Sequence, residues 1–237
     1  MLPILALASG FLGYQEPITA KIPPYPPTGE KRTWDVNVDF SVGGNKSGTK
    51  FVLSTEGKSE GSITTYPFEL RQIEATFNGA KMEYPDSADL EVKYENGLLY
   101  AITGTLPILD PQRLVLCCLF IGNDPPVYSA KATTWTFPKL ETESSIPSFE
   151  RTIILESSSK GEEGVLYKLA VKYREAKKST FKAIGHVWIY ESGWIAKSEL
   201  TLEDFPIPSM GVNVDGKITM SLQKKADKKD FLQTRKL

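Results

Sequence analysis

Apolar and polar residues alternate along most of the chain from residue 33 onward. Within one early segment every second side chain is apolar: Trp34, Val36, Val38, Phe40 and Val42. Polar residues fill the positions between them, which is the pattern of an antiparallel strand with one buried face. The same period of two recurs across residues 72–77, 89–94 and 98–102, and in longer segments between residues 151 and 222. These segments predict two runs of strands, 31–107 and 147–223.

Short turn sequences separate the predicted strands. Asn78-Gly79 and Asn96-Gly97 predict two-residue hairpin turns, because both residue types tolerate positive φ. Residues 43–48 predict a longer glycine-rich loop, residues 161–164 and 191–193 predict turns, and Asp215-Gly216 predicts a bulge or turn. Since short loops join antiparallel neighbours, each run is expected to form a meander.

One helix is predicted between the two runs. Asp110 is a suitable N-cap and Pro111 a suitable first helical residue, and an apolar stretch follows from Leu114 to Ile121. Gly122 and the two prolines at 125 and 126 end it. The stretch is apolar on all sides, which indicates burial against a sheet, although a strand over residues 114–121 stays open as an alternative.

The predicted fold class is therefore mainly β. We expect a single β-rich domain over residues 31–223, built as one large curved antiparallel sheet or as two packed meanders. It would be an open or half barrel, with one short helix near residues 110–121 covering a face. The concave apolar side of such a sheet must be filled by its own side chains, by the helix or by a ligand.

The two ends of the chain carry separate signals. Residues 2–12 form an apolar run of signal-peptide length, and Ala6-Leu7-Ala8 matches the small-x-small cleavage pattern. Ile18-Thr19-Ala20 is a weaker match at a better-placed position. Residues 1–20 therefore predict a signal peptide, or alternatively a buried N-terminal strand, because no Lys or Arg precedes the apolar run. Export to the periplasm or cell surface is expected, with the cytoplasm as the alternative. The basic tail, residues 224–237, is predicted to be a solvated end.

A proline-rich segment follows the predicted leader. It reads Ile22-Pro23-Pro24-Tyr25-Pro26-Pro27-Thr28-Gly29, and its prolines favour the polyproline II conformation. Residues 21–30 are predicted to be a stiff linker. The alternative is a ligand for an aromatic groove in a partner domain.

Composition and charge exclude several functional classes. The chain is 41% hydrophobic and 24% charged, so it contains enough apolar material for a core and is not disordered. Its 28 basic and 29 acidic residues leave a net charge of −1, which provides no overall field for nucleic acid. No apolar stretch beyond residue 20 is long enough to span a membrane. One histidine and two cysteines are too few for a typical structural zinc site.

Catalytic motifs are absent from the sequence. His186 shares a predicted strand face with Ile184, Trp188 and Tyr190, and no nucleophile elbow or zinc-protease motif accompanies it. Cys117 and Cys118 are adjacent and lie in the apolar stretch, as expected of small buried side chains. The acidic pairs Asp35 with Asp39, Asp89 with Glu91 and Glu199 with Glu203 fall on the polar faces of predicted strands. We therefore predict no catalytic residue, no metal and no cofactor.

The candidate ligand contacts are aromatic or apolar. Trp188, Tyr190 and Trp194 cluster around one predicted hairpin, and Leu114 lies on the predicted helix. If exposed, the aromatic rings can stack on sugars or contact lipid, and if buried they belong to the core.

The order of these features resembles a group of exported proteins. The segment Asp110 to Phe120, the run Pro125-Pro126-Val127-Tyr128 and the run Thr134-Trp135-Thr136 are similar to uncharacterised β-rich domains of bacterial envelopes. More remotely, the arrangement resembles LolA-like and LppX-like lipoprotein carriers. That resemblance implies a curved sheet that holds acyl chains. Phe11 stands where a lipoprotein would carry its lipid-bearing cysteine, so this chain departs from the lipoprotein members.

These observations lead to one functional hypothesis and two alternatives. We expect a non-catalytic exported envelope protein that binds an apolar ligand, such as a lipid or acyl chain, or an envelope protein partner. The alternatives are a carboxylate-dependent glycan hydrolase and a purely structural surface module. The oligomeric state is not predicted.

Overall fold

A computed structural model describes residues 19–83, 87–104, 113, 127–137, 148–175, 179–207 and 211–224. The secondary-structure elements formed by these residues are all strands. They are β1 (Thr19–Lys21), β2 (Lys31–Val42), β3 (Asn45–Glu56), β4 (Lys58–Glu60), β5 (Ile63–Phe77), β6 (Ala80–Met82), β7 (Ser87–Glu95), β8 (Leu98–Gly104), β9 (Val127–Ser129), β10 (Thr133–Phe137), β11 (Phe149–Gly161), β12 (Gly164–Glu175), β13 (Lys182–Tyr190), β14 (Ile195–Ile207) and β15 (Val212–Leu222). The predicted mainly-β class is confirmed. The helix predicted near residues 110–121 lies outside the described residues apart from Arg113.

Eleven strands follow one another across a continuous antiparallel sheet. Their order is β10-β11-β12-β13-β14-β15-β2-β3-β5-β7-β8, with β4 and β6 as short additions to β5. Strands β1 and β9 form a separate two-stranded sheet. The path has ends at β10 and β8, so this sheet is not closed into a barrel.

The two predicted meanders join edge to edge through the ladder between β15 and β2. This ladder runs from the pair Leu222–Trp34 to the pair Asp215–Ser41. The alternative of two separate meanders packed face to face is therefore wrong. Joining the meanders makes β15 and β2 central strands and so removes two exposed edges, whereas β10 and β8 remain the ends of the sheet.

One face of the sheet is buried and apolar. On β2 the residues Trp34, Val36, Val38 and Phe40 are at most 4% exposed, while the residues between them point to the polar face. The buried positions of the other long strands join the same hydrophobic cluster. The period-two pattern of the sequence thus corresponds to a single apolar face shared by all the long strands.

The turns agree with the sequence in most places. Asn78 and Asn96 adopt φ of 49° and 50°, and each is followed by a glycine at 80°, which confirms the two hairpin turns. The loop predicted over residues 43–48 is wrong: Gly43 and Gly44 alone make the turn, and β3 begins at Asn45. Both glycines adopt positive φ, so two residues suffice to reverse the chain.

The bulge predicted at Asp215-Gly216 occurs on the neighbouring strand. The register of β14 against β15 shifts between Leu202 and Phe205. Asp204 in this shift has a φ of 53°, and its backbone N–H donates to Oδ1 of Asp215 at 3.0 Å. Asp215 therefore stabilises a bulge in β14, whereas its own strand, β15, continues without interruption.

Contacts between distant strands show that the sheet curls toward its apolar side. Nη1 of Arg32 on β2 lies 2.6 Å from Oε1 of Glu163, in the turn between β11 and β12. Strands β12 and β2 are four positions apart in the sheet, which is about 19 Å when a sheet is flat. The ring of Tyr66 on β5 likewise lies 6.4 Å from that of Trp194, at the start of β14. The apolar face is therefore concave and the polar face convex.

We expect Ile218→Ala to destabilise the whole sheet. Ile218 is 1% exposed on β15 and pairs with Val38 across the ladder that joins the meanders. Removing its buried methylenes should lower the free energy of unfolding by about 2–5 kcal/mol in urea denaturation.

Thr219→Ala, one residue along on the convex face, is the matched control and should cost less than about 1 kcal/mol. Fluorescence and circular dichroism should follow one shared transition for Ile218→Ala. Equal midpoints for the two variants, or two separate transitions, would argue against a single sheet held together at β15–β2.

Candidate functional site

A row of small and medium-sized side chains crosses the middle of the concave face. Successive ladder pairs place eight residues in one line across eight strands: Ile153, Val171, Gly185, Leu200, Ile218, Val38, Thr49 and Ala75. Apart from Gly185, each is at most 7% exposed. Gly185 has no side chain, since a Cβ there would come within 2.0 Å of the Glu199 carbonyl oxygen, and Ala75 and Thr49 have short side chains. We call this line of residues the aliphatic row.

Aromatic rings line the concave face on both sides of the aliphatic row. On one side, neighbouring centroids lie 5.1–5.5 Å apart along Phe149, Tyr173, Phe181, Phe205 and Phe40. On the other side they lie 5.3–6.4 Å apart along Tyr25, Tyr94, Tyr66, Trp194 and Trp34. These separations suit favourable tilted and edge-to-face ring contacts. The concave face therefore has an aliphatic centre and two aromatic ends, the Phe149 end and the Trp34 end, and we call this buried face the trough.

A buried ion pair lies at the Phe149 end. Nε of Arg113 is 2.6 Å from Oε1 of Glu175, and Nη2 is 2.9 Å from Oε2, so the guanidinium binds both carboxylate oxygens. The hydroxyl of Tyr173 donates to Oε1 of the same glutamate at 3.3 Å. The Glu175 side chain is fully buried, and a carboxylate without water requires such partners.

Arg113 brings a positive charge to the Phe149 end of the trough. This residue belongs to the connection between β8 and β9, and its partner Glu175 points inward from β12. Arg151, 2% exposed, lies nearby on β11 with its guanidinium carbon 5.9 Å from the Phe149 ring. Charged groups are thus buried at the Phe149 end, and Arg32, 6% exposed and 5.3 Å from the Trp194 ring, is buried at the Trp34 end.

The structure separates Trp188 from Trp194 among the predicted ligand contacts. Trp188 lies on the convex face, where the ammonium groups of Lys197 and Lys168 are 4.9 and 5.7 Å from its ring. Trp194, 2% exposed, packs against Trp34 on the concave side, and Tyr190 is 7% exposed. Leu114 lies outside the described residues.

Trp188 and Tyr190 differ in exposure although they alternate in step along β13. The pairing of β13 with β12 is continuous, with Trp188 opposite Lys168 and Tyr190 opposite Leu166. The register of β13 against β14 shifts between Trp188 and Ile189, where Ala196 is the extra residue on β14. At this end of β13 both Ile189 and Tyr190 are buried.

His186 and the predicted acidic pairs belong to the convex face. Nε2 of His186 lies 3.3 Å from Oε1 of Glu156, whose other oxygen is 2.7 Å from Nζ of Lys168. The Lys168 hydrogen bond, together with the His186 contact, lowers the pKa of the Glu156 carboxyl. Asp35, Asp39 and Glu199 are likewise exposed, as the sequence predicted.

Within the residues that the structure describes, no three His, Cys, Asp or Glu side chains form a group able to hold a metal ion. No helix in that same part of the chain is both long and apolar enough to cross a membrane. Cys117 and Cys118 lie outside it.

Sequence reasoning missed Arg113, Arg151 and Glu175. A signal was present for two of them, because Arg151 lies in phase with Phe149 and Ile153, and Glu175 with Val171 and Tyr173. A charged residue at an apolar position of an alternating strand indicates a buried partner. Arg113 lies in a segment without alternation and gives no such signal.

Comparison with known proteins adds little. No protein-family model matches the sequence, and no curated protein matches it. The chain is similar to the crystal structure of a DUF1329 family protein from Desulfovibrio piger ATCC 29098, with 7% identity, 84% of this chain and 86% of that chain covered, and a TM-score of 0.24. This similarity is weak and remote. Function is therefore best inferred from the concave face.

We expect Glu175→Ala to be strongly destabilising. It leaves the Arg113 guanidinium without its carboxylate in a buried site, which should cost about 3–5 kcal/mol in urea denaturation. Glu199→Ala removes a comparable partner from Lys197 on the exposed face and should cost less than about 1 kcal/mol.

The double variant Arg113→Met/Glu175→Leu provides a further check. It removes both charges and should be more stable than Glu175→Ala alone, because no uncompensated charge stays buried. Strictly additive losses would show that the two side chains do not act as a pair.

Proposed function

We propose that this protein is a non-catalytic binding protein that holds the apolar chain of a lipid or fatty acid in the trough. The observation that carries the proposal is the aliphatic row, which runs across eight strands between the two aromatic ends. An acyl chain matches a long, narrow, apolar surface of this kind better than a compact polar ligand does.

The chemistry of the trough suits an acyl chain. Each buried methylene contributes about 0.8 kcal/mol without any directional requirement. The ion pair of Arg113 and Glu175 places a polar point at one end, which can orient a ligand that has a polar head.

Contacts on the convex face support binding rather than hydrolysis. Glu199 and Glu203, one of the predicted acidic pairs, are in contact with Lys197 and Lys182 respectively. His186 contacts Glu156, which also binds Lys168. These are the ion pairs of a solvated sheet surface, and hydrolysis of a glycan would require two carboxylates across a cleft.

We also propose that the protein is exported, with the apolar run of residues 2–12 as its signal. Of the two cleavage patterns, the one at Ala8 lies inside this run and the one at Ala20 lies inside β1. Ala20 is fully buried and pairs with Tyr128, and Ile22 is 2% exposed, so cleavage after Ala20 would divide β1. We therefore expect any cleavage of the leader to occur between the apolar run and β1.

We expect delipidated protein to bind cis-parinaric acid, a fluorescent fatty acid, in a one-to-one complex visible by native mass spectrometry. Val171→Thr puts a hydroxyl in the aliphatic row and should weaken binding roughly tenfold, since a buried hydroxyl without a partner costs about 1–3 kcal/mol. Fluorescence titration measures the change.

Ile184→Thr is the matched control, because Ile184 is 38% exposed on the convex face of the neighbouring strand. It should bind the fatty acid like the unmodified protein. If the unmodified protein binds no fatty acid and no phospholipid, the proposed function is wrong. Equal weakening by both variants would place the ligand elsewhere.

The leader proposal has its own test. Expressed in a Gram-negative host, the protein should be recovered from the periplasm or cell surface with a first residue upstream of Thr19, measured by intact mass and N-terminal sequencing. A mature chain that begins at Lys21, or a full-length chain confined to the cytoplasm, would contradict it.

A further inference from the structure

The proline-rich segment lies across the Trp34 end of the trough. We call residues 22–29 the strap. The Tyr25 ring packs 5.3 Å from the Tyr94 ring, and the Tyr66 hydroxyl donates to the carbonyl oxygen of Pro26. Ile22 is 2% exposed and Pro26 is buried, whereas Pro23, Pro24 and Pro27 face solvent. The strap therefore has an inner side that is anchored and an outer side that is exposed.

Two glycines shape the surface under the strap. A Cβ on Gly57 would overlap the Tyr66 ring, and a Cβ on Gly193 would come within 3.0 Å of Pro23 and 3.4 Å of Pro26. The strap thus rests on rings and bare backbone, the kind of surface that recognises polyproline II ligands. The aromatic groove that a proline-rich segment requires is present in the same chain.

The strap is held more loosely than the strands on either side of it. Its prolines have no N–H to donate, and in the described part of the chain its backbone hydrogen bonds are the one from Tyr66 to Pro26 and one from Gly29 N–H to Gly57 at 2.9 Å. By contrast, β1 and β2 are paired residue by residue with β9 and β3. A segment of this kind can detach without disrupting a ladder.

An indole group beneath the strap favours such opening. Trp194 adjoins Gly193, on which the strap rests, and is 2% exposed. Its Nε1–H has no hydrogen-bond partner in the described part of the chain. Burial without an acceptor is unfavourable, and water can supply the acceptor when the strap lifts.

We propose that the strap is a lid over the Trp34 end of the trough, latched by the hydrogen bond from Tyr66 to Pro26. This inference rests on the proposed function, since the lid controls entry of the apolar chain into the trough. Opening withdraws Ile22, Tyr25 and Pro26 from the aromatic end and exposes the Tyr66, Tyr94 and Trp194 rings. Burial raises the pKa of the Tyr66 hydroxyl, so this donor stays protonated.

Limited proteolysis tests the opening without any ligand. The bond between Lys21 and Ile22 is a trypsin site, and Ile22 is buried while the strap is closed. Tyr66→Phe removes the latch but keeps the ring, and should speed cleavage after Lys21 in the folded protein about fivefold. Tyr25→Ala removes the strap's own ring contact with Tyr94 and should likewise speed cleavage after Lys21.

Tyr100→Phe is the matched control, because Tyr100 is 47% exposed on β8 and far from the strap in sequence. Cleavage after Lys81, in the β5–β6 hairpin, serves as the internal reference in every variant. Faster cleavage at Lys21 but not at Lys81 supports the lid. Unchanged cleavage at Lys21 in both latch variants, or equal acceleration at both sites, would overturn it.

Binding kinetics connect the lid to the ligand. In stopped-flow measurements with cis-parinaric acid, Tyr66→Phe should raise the association and dissociation rates together, each about fivefold, and leave the dissociation constant within twofold. If the fatty acid binds and neither rate changes, the lid is wrong. If the unmodified protein binds no fatty acid, the proposed function fails, and proteolysis alone decides whether the strap opens.

Discussion

The ladder between β15 and β2 is the interaction on which the rest of the structure depends. It pairs the last described strand with the first strand of the main sheet, so each meander protects an edge of the other. Without this ladder the aliphatic row would be broken between Ile218 and Val38, and neither half would span the trough. The curl has the same origin, because the contact of Arg32 with Glu163 joins residues of the two meanders. The concave face is therefore a product of the whole chain.

Features that depend on local alternation, such as strand positions, were predicted from the sequence. Features that depend on pairing between distant strands were not. Strand positions and the two Asn-Gly turns followed from residue type, because positive φ and one-sided burial are properties of short segments. The pairing of Ile218 with Val38 joins residues 180 positions apart, and no local pattern specifies it. The register shift between Trp188 and Ile189 was not predicted either, because it depends on how β13 pairs with β14.

The candidate site was predictable in its chemistry but not in its geometry. Aromatic clustering indicated Trp194, which lies at the Trp34 end, and also Trp188, which lies on the convex face. The aliphatic row arises only when register aligns one residue from each of eight strands. Arg151 and Glu175 were detectable in the sequence as charged residues at apolar positions of alternating strands. The role of Glu175 followed only from the structure, because its ion-pair partner Arg113 lies in another part of the chain.

Closing the end of a trough with prolines rather than with a strand has a physical consequence. A strand laid over the aromatic rings would offer N–H and C=O groups to neighbouring strands and would extend the sheet. The strap lacks those donors at four of its eight positions, so it covers apolar rings without joining a ladder. Its fixed φ angles also limit the freedom that it gains on release, which keeps reclosure favourable. A cover of this composition combines shielding of the rings with easy release, which are the two properties that a protein holding a removable apolar chain requires.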